Sequence, residues 1–174
     1  MTTFESSLGW MAAAWLDGRL ARLTFGHSSP QTAAFHLAVH ELPTDATVST
    51  RRFIRRLQAF ADGKRSDDFL DVPLLVSEMT PFQQAVIDHC RRIPVGETLS
   101  YAGLANAAGH PGAARAVGRV MATNRFPLVV PCHRVLAASG ALGGFSAPQG
   151  VAMKRRLLTL EQIIRRPKRL SASP

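Results

Sequence analysis

The chain has 174 residues, 46% of them apolar, enough for one domain or two small ones whose core needs no covalent staples. Its two cysteines, Cys90 and Cys132, lie far apart, which excludes a disulfide framework and a four-thiolate zinc site and fits a reducing compartment. The net charge of +9 is uneven: residues 1–74 hold eight basic against eight acidic side chains, residues 75–161 nine against four, and the tail from Gln162 four against none. Such asymmetry fits a polyanion bound by the second half or a solvated basic surface. The N-terminus lacks a basic segment followed by an apolar run, and no stretch approaches membrane-spanning length, so neither export nor membrane insertion is expected.

Apolar runs at Trp10 to Leu16 and Leu20 to Phe25 flank Asp17-Gly18, a strong hairpin signal. Helical spacing follows at Pro30 to Leu42 and Ser49 to Gly63. The second helix puts Phe53, Leu57 and Phe60 on one face, leaving Arg51, Arg52, Arg55 and Arg56 mostly on a solvated one. The polar, acidic stretch from Lys64 to Pro73 reads as a linker between two lobes.

Thr80-Pro81-Phe82-Gln83 predicts a capping box and a helix running to about Arg92. Phe82, Val86, His89, Cys90 and Ile93 form its buried stripe, so Cys90 is read as a small core residue without chemistry. Next come a helix from after Ser100 to Gly109, a turn at His110-Pro111, and a helix from Gly112 to Thr123. Two short helices across a tight turn match a helix-turn-helix, and equally a helix pair without a DNA role. In the third helix the small residues around Ala114 and Gly118 permit close approach of a partner, while Arg115 and Arg119 share a face suited to phosphates or to insertion beside bases.

After Asn124 and Pro127 the run Leu128-Val129-Val130 predicts a buried strand delivering Cys132 at its end. Cys132 and His133 are sequence neighbours and would point apart in extended chain, so proton transfer between them needs a bend or a bridging water. In the last helix Glu161 shares a stripe with Met153, Leu157 and Leu158. Glu161 therefore either meets a buried donor, His133 being the natural one, or sits at a frayed helix end in water. Cys-His-Glu alone describes a thiol hydrolase equally well.

Pro131-Cys132-His133-Arg134-Val135, preceded by Asn124 and by Ala114-Arg115-Ala116-Val117-Gly118, closely resembles the O6-alkylguanine-DNA alkyltransferases over roughly Thr80 to Glu161. The resemblance implies an α/β (α+β) fold, with a ribonuclease-H-like lobe at 1–75 and a mostly helical alkyl-acceptor and DNA-binding lobe at 76–161, while the basic tail at 162–174, with Arg165, Arg166, Lys168 and Arg169, reads as disordered from its composition. It implies that Cys132 takes the alkyl group irreversibly, in one turnover, from O6-alkylguanine (or O4-alkylthymine) turned out of a duplex. His133 would be the water-linked base, Glu161 its orienting carboxylate, and Asn124 the tie between helix-turn-helix and active-site strand. Arg115 would fill the gap in the stack, and Tyr101 would help turn the phosphate and stabilise the leaving oxygen. Ala114, Gly118 and Arg119 would meet the minor groove without sequence preference.

Val135, Ser146, Phe145 and Pro127 would line the guanine pocket, with Gly140 to Gly144 as its covering loop. The resemblance implies no metal or cofactor, a monomer, and a cytoplasmic location, or a nuclear one in a eukaryote. Three departures bear on pocket shape and alkyl size: Phe145 replaces a common tyrosine, Arg125 a common proline, and Ala147 to Gly150 is slightly longer. The extra cysteines of methyl-sensing relatives are missing, so repair without transcriptional sensing is implied. Non-catalytic alkyltransferase-like proteins carry another residue at the cysteine position, and Cys132 argues against that reading. A pure helix-turn-helix regulator leaves the Cys-His pair unexplained, and a hydrolase leaves the DNA-facing helix unexplained.

Overall fold

A computed structural model describes residues 1–37 and 47–165. Three antiparallel strands, β1 (Thr2–Phe4), β2 (Trp10–Leu16) and β3 (Arg19–His27), open the chain. Asp17 and Gly18 both take positive φ, at 49° and 73°, the conformation whose twist suits a two-residue hairpin. Alternation along β2 serves two layers: Met11, Ala13 and Trp15 enter the main core, while Ala12 and Ala14 pack with Ala33 and Leu37 of α1 (Pro30–Leu37). Alanines on that side let the helix lie close to the sheet. Residues 38–42, expected to continue this helix, lie outside the described residues.

Helix α2 (Val48–Ala61) starts at the side-chain cap of Thr47 and buries Phe53, Leu57 and Phe60, as its spacing predicts. Its arginine face is only partly solvated. Arg56 donates to both Asp67 and Asp71 at 2.6 to 2.7 Å and lies over the Phe69 ring. Phe69 and Val72 are buried, so the connecting stretch is packed onto the core. Its end is also stitched to β3, Leu20 N–H donating to Pro73 and Leu75 N–H to Leu20.

Helix α3 (Pro81–Arg91) has the full capping box between Thr80 and Gln83 and buries Val86, Ile87 and Cys90. His89, expected on that stripe, is half-buried, and Ile87 takes more of the core than the spacing suggested. After β4 (Leu99–Ser100) come α4 (Tyr101–Ala107), capped by Ser100, and α5 (Ala114–Ala122). The turn between them uses Gly109 and Gly112, both at positive φ.

The expected strand at Leu128–Val130 is not a strand. Leu128 takes a φ of 72°, and the segment closes into a turn in which Val130 N–H donates to Phe126 at 2.7 Å. Asn124 holds this turn with both ends of its amide, Nδ2 donating to the Val130 carbonyl and Oδ1 accepting from Phe126 N–H. A single 3₁₀ turn, Cys132–Arg134, follows, then β5 (Val135–Leu136), parallel to β4. Helix α6 (Val151–Arg165) ends the described chain, continuing past Glu161 where a basic tail was expected to begin; Arg166, Lys168 and Arg169 lie outside the described residues. One hydrophobic core joins the halves, from Phe60 and Phe69 to Val129 and Leu157.

Candidate active site and nucleic-acid interface

Successive side chains in a 3₁₀ turn project about a third of a revolution apart, so the turn at Cys132 sends its three side chains toward different surroundings. Cys132 faces a cavity of about 340 Å³ between α4, α5 and the loop at 144–146, lined by Tyr101, Gly118, Met121, Phe145 and Ser146. His133 and Arg134 turn inward instead and meet α6, both being buried.

There His133 Nε2 donates to Glu161 Oε1 at 2.7 Å. Arg134 adds Nε at 3.0 and 3.1 Å and Nη2 at 2.8 Å, and the Gly96 N–H reaches Oε2 at 3.1 Å. Glu161 is completely buried, yet burial, which would raise its pKa, is outweighed by these donors, His133 first, and the carboxyl is held at about 2. It is thus a buried carboxylate with a full set of partners rather than a frayed end. Arg134 in turn donates Nη1 to the Ile93 carbonyl, tying the turn to the end of α3.

Burial lowers the pKa of His133 against the pull of Glu161, so the ring is neutral at pH 7. With Nε2–H committed to Glu161, Nδ1 is the accepting nitrogen; it is buried with no hydrogen-bond partner among the described residues. Burial likewise raises the Cys132 thiol, opposed by hydrogen bonding from Asn124 and the charge of Lys154. The resting residue is therefore a thiol, and a thiolate requires that its proton be taken.

Lys154 and Arg134 are the members of this site that sequence reasoning did not assign a role. Lys154 is completely buried and donates to the Val135 carbonyl at 2.8 Å. A helical signal for it existed: it precedes Leu157 by three residues and Glu161 by seven, on the same face of α6. Of the expected pocket residues, Phe145 and Ser146 line the Cys132 cavity, Val135 is completely buried and lines neither cavity, and Pro127 lines a second cavity that adjoins the first. Among the described residues, no group of three His, Cys, Asp or Glu side chains is arranged to hold a metal ion.

On the surface beside the cavity, α5 buries Val117, Val120 and Met121 and exposes Arg115 and Arg119. Above Gly118 there is open space, so its backbone is available to a partner at the mouth of the cavity. Arg115, Arg119 and Ala114 do not line the cavity; they flank it on the helix that forms one wall.

Comparison with known proteins identifies relatives of nearly the whole chain. A family model described as "6-O-methylguanine DNA methyltransferase, DNA binding domain" matches residues 81–163. The constitutive methylated-DNA--protein-cysteine methyltransferase of Bacillus subtilis is 35% identical over 162 residues, spanning 93% of this chain and 94% of that one. A protein of the same name without the "constitutive", from Mycolicibacterium paratuberculosis, is 41% identical, with 92% and 90% covered. Among solved structures, Mycobacterium tuberculosis OGT in complex with DNA superposes with a TM-score of 0.75 at 35% identity, covering 93% of this chain and 92% of that one.

Proposed function

The chain belongs to the 6-O-methylguanine DNA methyltransferase family, and on that premise we propose how its own residues carry out the reaction. The protein is a methylated-DNA-protein-cysteine methyltransferase: it repairs DNA by direct reversal, moving an alkyl group from the DNA to a cysteine. That cysteine is Cys132, the thiol on the wall of a cavity beside a helix-turn-helix. The observation that carries the assignment is the buried His133–Glu161 pair immediately behind it.

Duplex DNA lies against α5 through its minor groove, where small side chains permit contact with any sequence. The O6-alkylguanine turns into the Cys132 cavity, whose volume falls within the roughly 300 to 1,000 Å³ usual for small-molecule sites. Arg115 fills the gap left in the stack, while Ala114, Gly118 and Arg119 contact the backbone.

The thiol proton passes through one water to His133 Nδ1, and Glu161 stabilises the imidazolium that forms. The Cys132 thiolate attacks the alkyl carbon, the carbon–O6 bond breaks, and its electron pair goes to O6, where Tyr101 helps stabilise the developing charge. Cys132 ends as a thioether, so each molecule works once, as a monomer in the compartment that holds the DNA. Residues 1–75 form a supporting lobe and 76–161 the alkyl-acceptor lobe; the basic residues from Gln162 onward add salt-sensitive DNA affinity.

The test is the intact mass of the protein after incubation with duplex DNA containing O6-methylguanine, beside Cys132→Ala. Wild type should gain one methyl per molecule and then stop, and the variant should gain none. Tight binding without a gain in mass would replace this reading with that of a damage-binding protein, and continued turnover would favour a hydrolase.

A further inference from the structure

The Cys132 cavity shares a wall with a second one. Ala122, Phe145 and Ser146 line both, and the second, of about 510 Å³, runs between the end of α5 and β3. Phe145, standing between the two, is braced edge-on by Phe25 of the first lobe, their centroids 6.3 Å apart. Where the first cavity is walled mostly by uncharged side chains, the second gathers Arg22, Arg125, His27 and His36.

His27 is only 5% exposed, and its Nδ1 has no hydrogen-bond partner among the described residues. Its Nε2 lies 2.6 Å from the Thr24 hydroxyl, and its ring stacks on His36 at 4.8 Å. When Thr24 donates to Nε2, the proton of the neutral ring sits on Nδ1, making it a donor. Burial and the neighbouring His36 both lower the His27 pKa, so the ring enters this arrangement uncharged. Arg125 is shared with Glu78 at 3.2 Å, at the exposed rim, and keeps donors to spare. Among the described residues that line the cavity, none is a carboxylate that could neutralise Arg22.

We propose that this second cavity is a subsite for the far end of an O6 substituent, and that it selects short alkyl chains ending in a carboxylate. A carboxylate there would meet the guanidinium groups of Arg22 and Arg125, whereas an uncharged chain of the same length would leave Arg22 without a counter-charge among the described lining residues. The inference rests on the repair reading above. The step keeps the same balance: Cys132 sulfur bonds the first methylene, the carbon–O6 bond breaks, and the pair goes to O6. Cys132 ends as a carboxyalkyl thioether with the carboxylate unchanged.

The experiment uses the full chain and three duplexes, carrying O6-methylguanine, O6-(3-carboxypropyl)guanine and its uncharged amide, O6-(3-carbamoylpropyl)guanine. Single-turnover rates are read by intact mass. Wild type should transfer the carboxylate chain at least about tenfold faster than the amide, the scale of a charge-assisted hydrogen bond. Arg22→Gln with Arg125→Gln should bring that ratio close to one while leaving methyl transfer unchanged, which also shows that the variant folds. Equal rates for the two chains in wild type, or a ratio that survives the double substitution, would overturn the subsite while methyl transfer upheld the repair reading. Failure of methyl transfer by wild type would sink both.

Discussion

Two clusters of arginine and carboxylate hold this molecule together, one in each half. In the first, Arg56 bridges Asp67 and Asp71 across the connecting stretch, and the Asp71 side chain is 64% exposed. In the second, Glu161 collects His133, Arg134 and Gly96 N–H with none of its surface in water. The pairing chemistry is the same, but only the second includes a group that can change its protonation beside a nucleophile. An ion cluster thus becomes catalytic machinery by what it orients and how completely it is dried, since a carboxylate in water could neither fix the imidazole tautomer nor retain its charge so firmly.

The largest effect that separates the two should come from Glu161→Gln. It leaves Arg134 buried without its counter-charge, costing about 3 to 5 kcal/mol in urea denaturation, and it removes the group that orients His133, slowing methyl transfer about a hundredfold or more. Asp67→Asn should cost only about 1 to 2 kcal/mol and leave the transfer rate alone. Equal transfer losses in the two variants would end the distinction drawn between the clusters.

Acid should dissect the clusters in order. His133 has its pKa lowered by burial, so the unfolded chain binds its proton first and stability falls as pH drops below 6.5. Glu161, held at about 2 against 4.5, contributes stability that is present above 4.5 and lost on the way down to 2, amounting to about 3 kcal/mol. Asp67 and Asp71 are also depressed, so their share is lost only below 3.8. Melting followed from pH 7 to pH 3 should therefore show an early loss that Asp67→Asn retains. Methyl transfer should stay level through neutral pH and decline at a pH below 6.5, as His133 becomes protonated; a decline centred above 7 would contradict the neutral-base role.

Lys154→Met tests the cation behind the thiol. Removing it takes away a charge that favours the Cys132 thiolate, and transfer should slow, by roughly tenfold if the barrier rises by about 1.4 kcal/mol. The fold should tolerate the change, because methionine fills the volume and no counter-charge is stranded. The smallest effect belongs to Asp71→Asn, under about 1 kcal/mol with no kinetic change, as its exposed side chain adds little to what Asp67 already gives Arg56.

Several elements were decided within a few residues of themselves and were legible in the sequence. The Asp17-Gly18 hairpin, the Thr80 capping box, the start of α4 at Ser100 and the small-residue helix carrying Arg115 depend on turn sterics and on caps that reach two or three residues along the chain. The Cys132 motif, and through it the family, was equally local. What lay beyond reach was decided by which side chains and backbone groups meet once the chain has folded. Leu128 to Val130 is too short to carry a periodicity, and the Asn124 amide, not its apolar character, folds it into a turn. The arginines of α2 look alike in sequence, yet Arg56 alone meets both aspartates, eleven and fifteen residues on. The burial of Lys154 against the Val135 carbonyl depends on where α6 docks, and the cavity behind Phe145 exists only where β3 comes against the end of α5. Local sterics and capping are encoded in neighbouring residues, whereas burial and charge pairing are properties of the closed chain, and so only the tertiary structure could decide them.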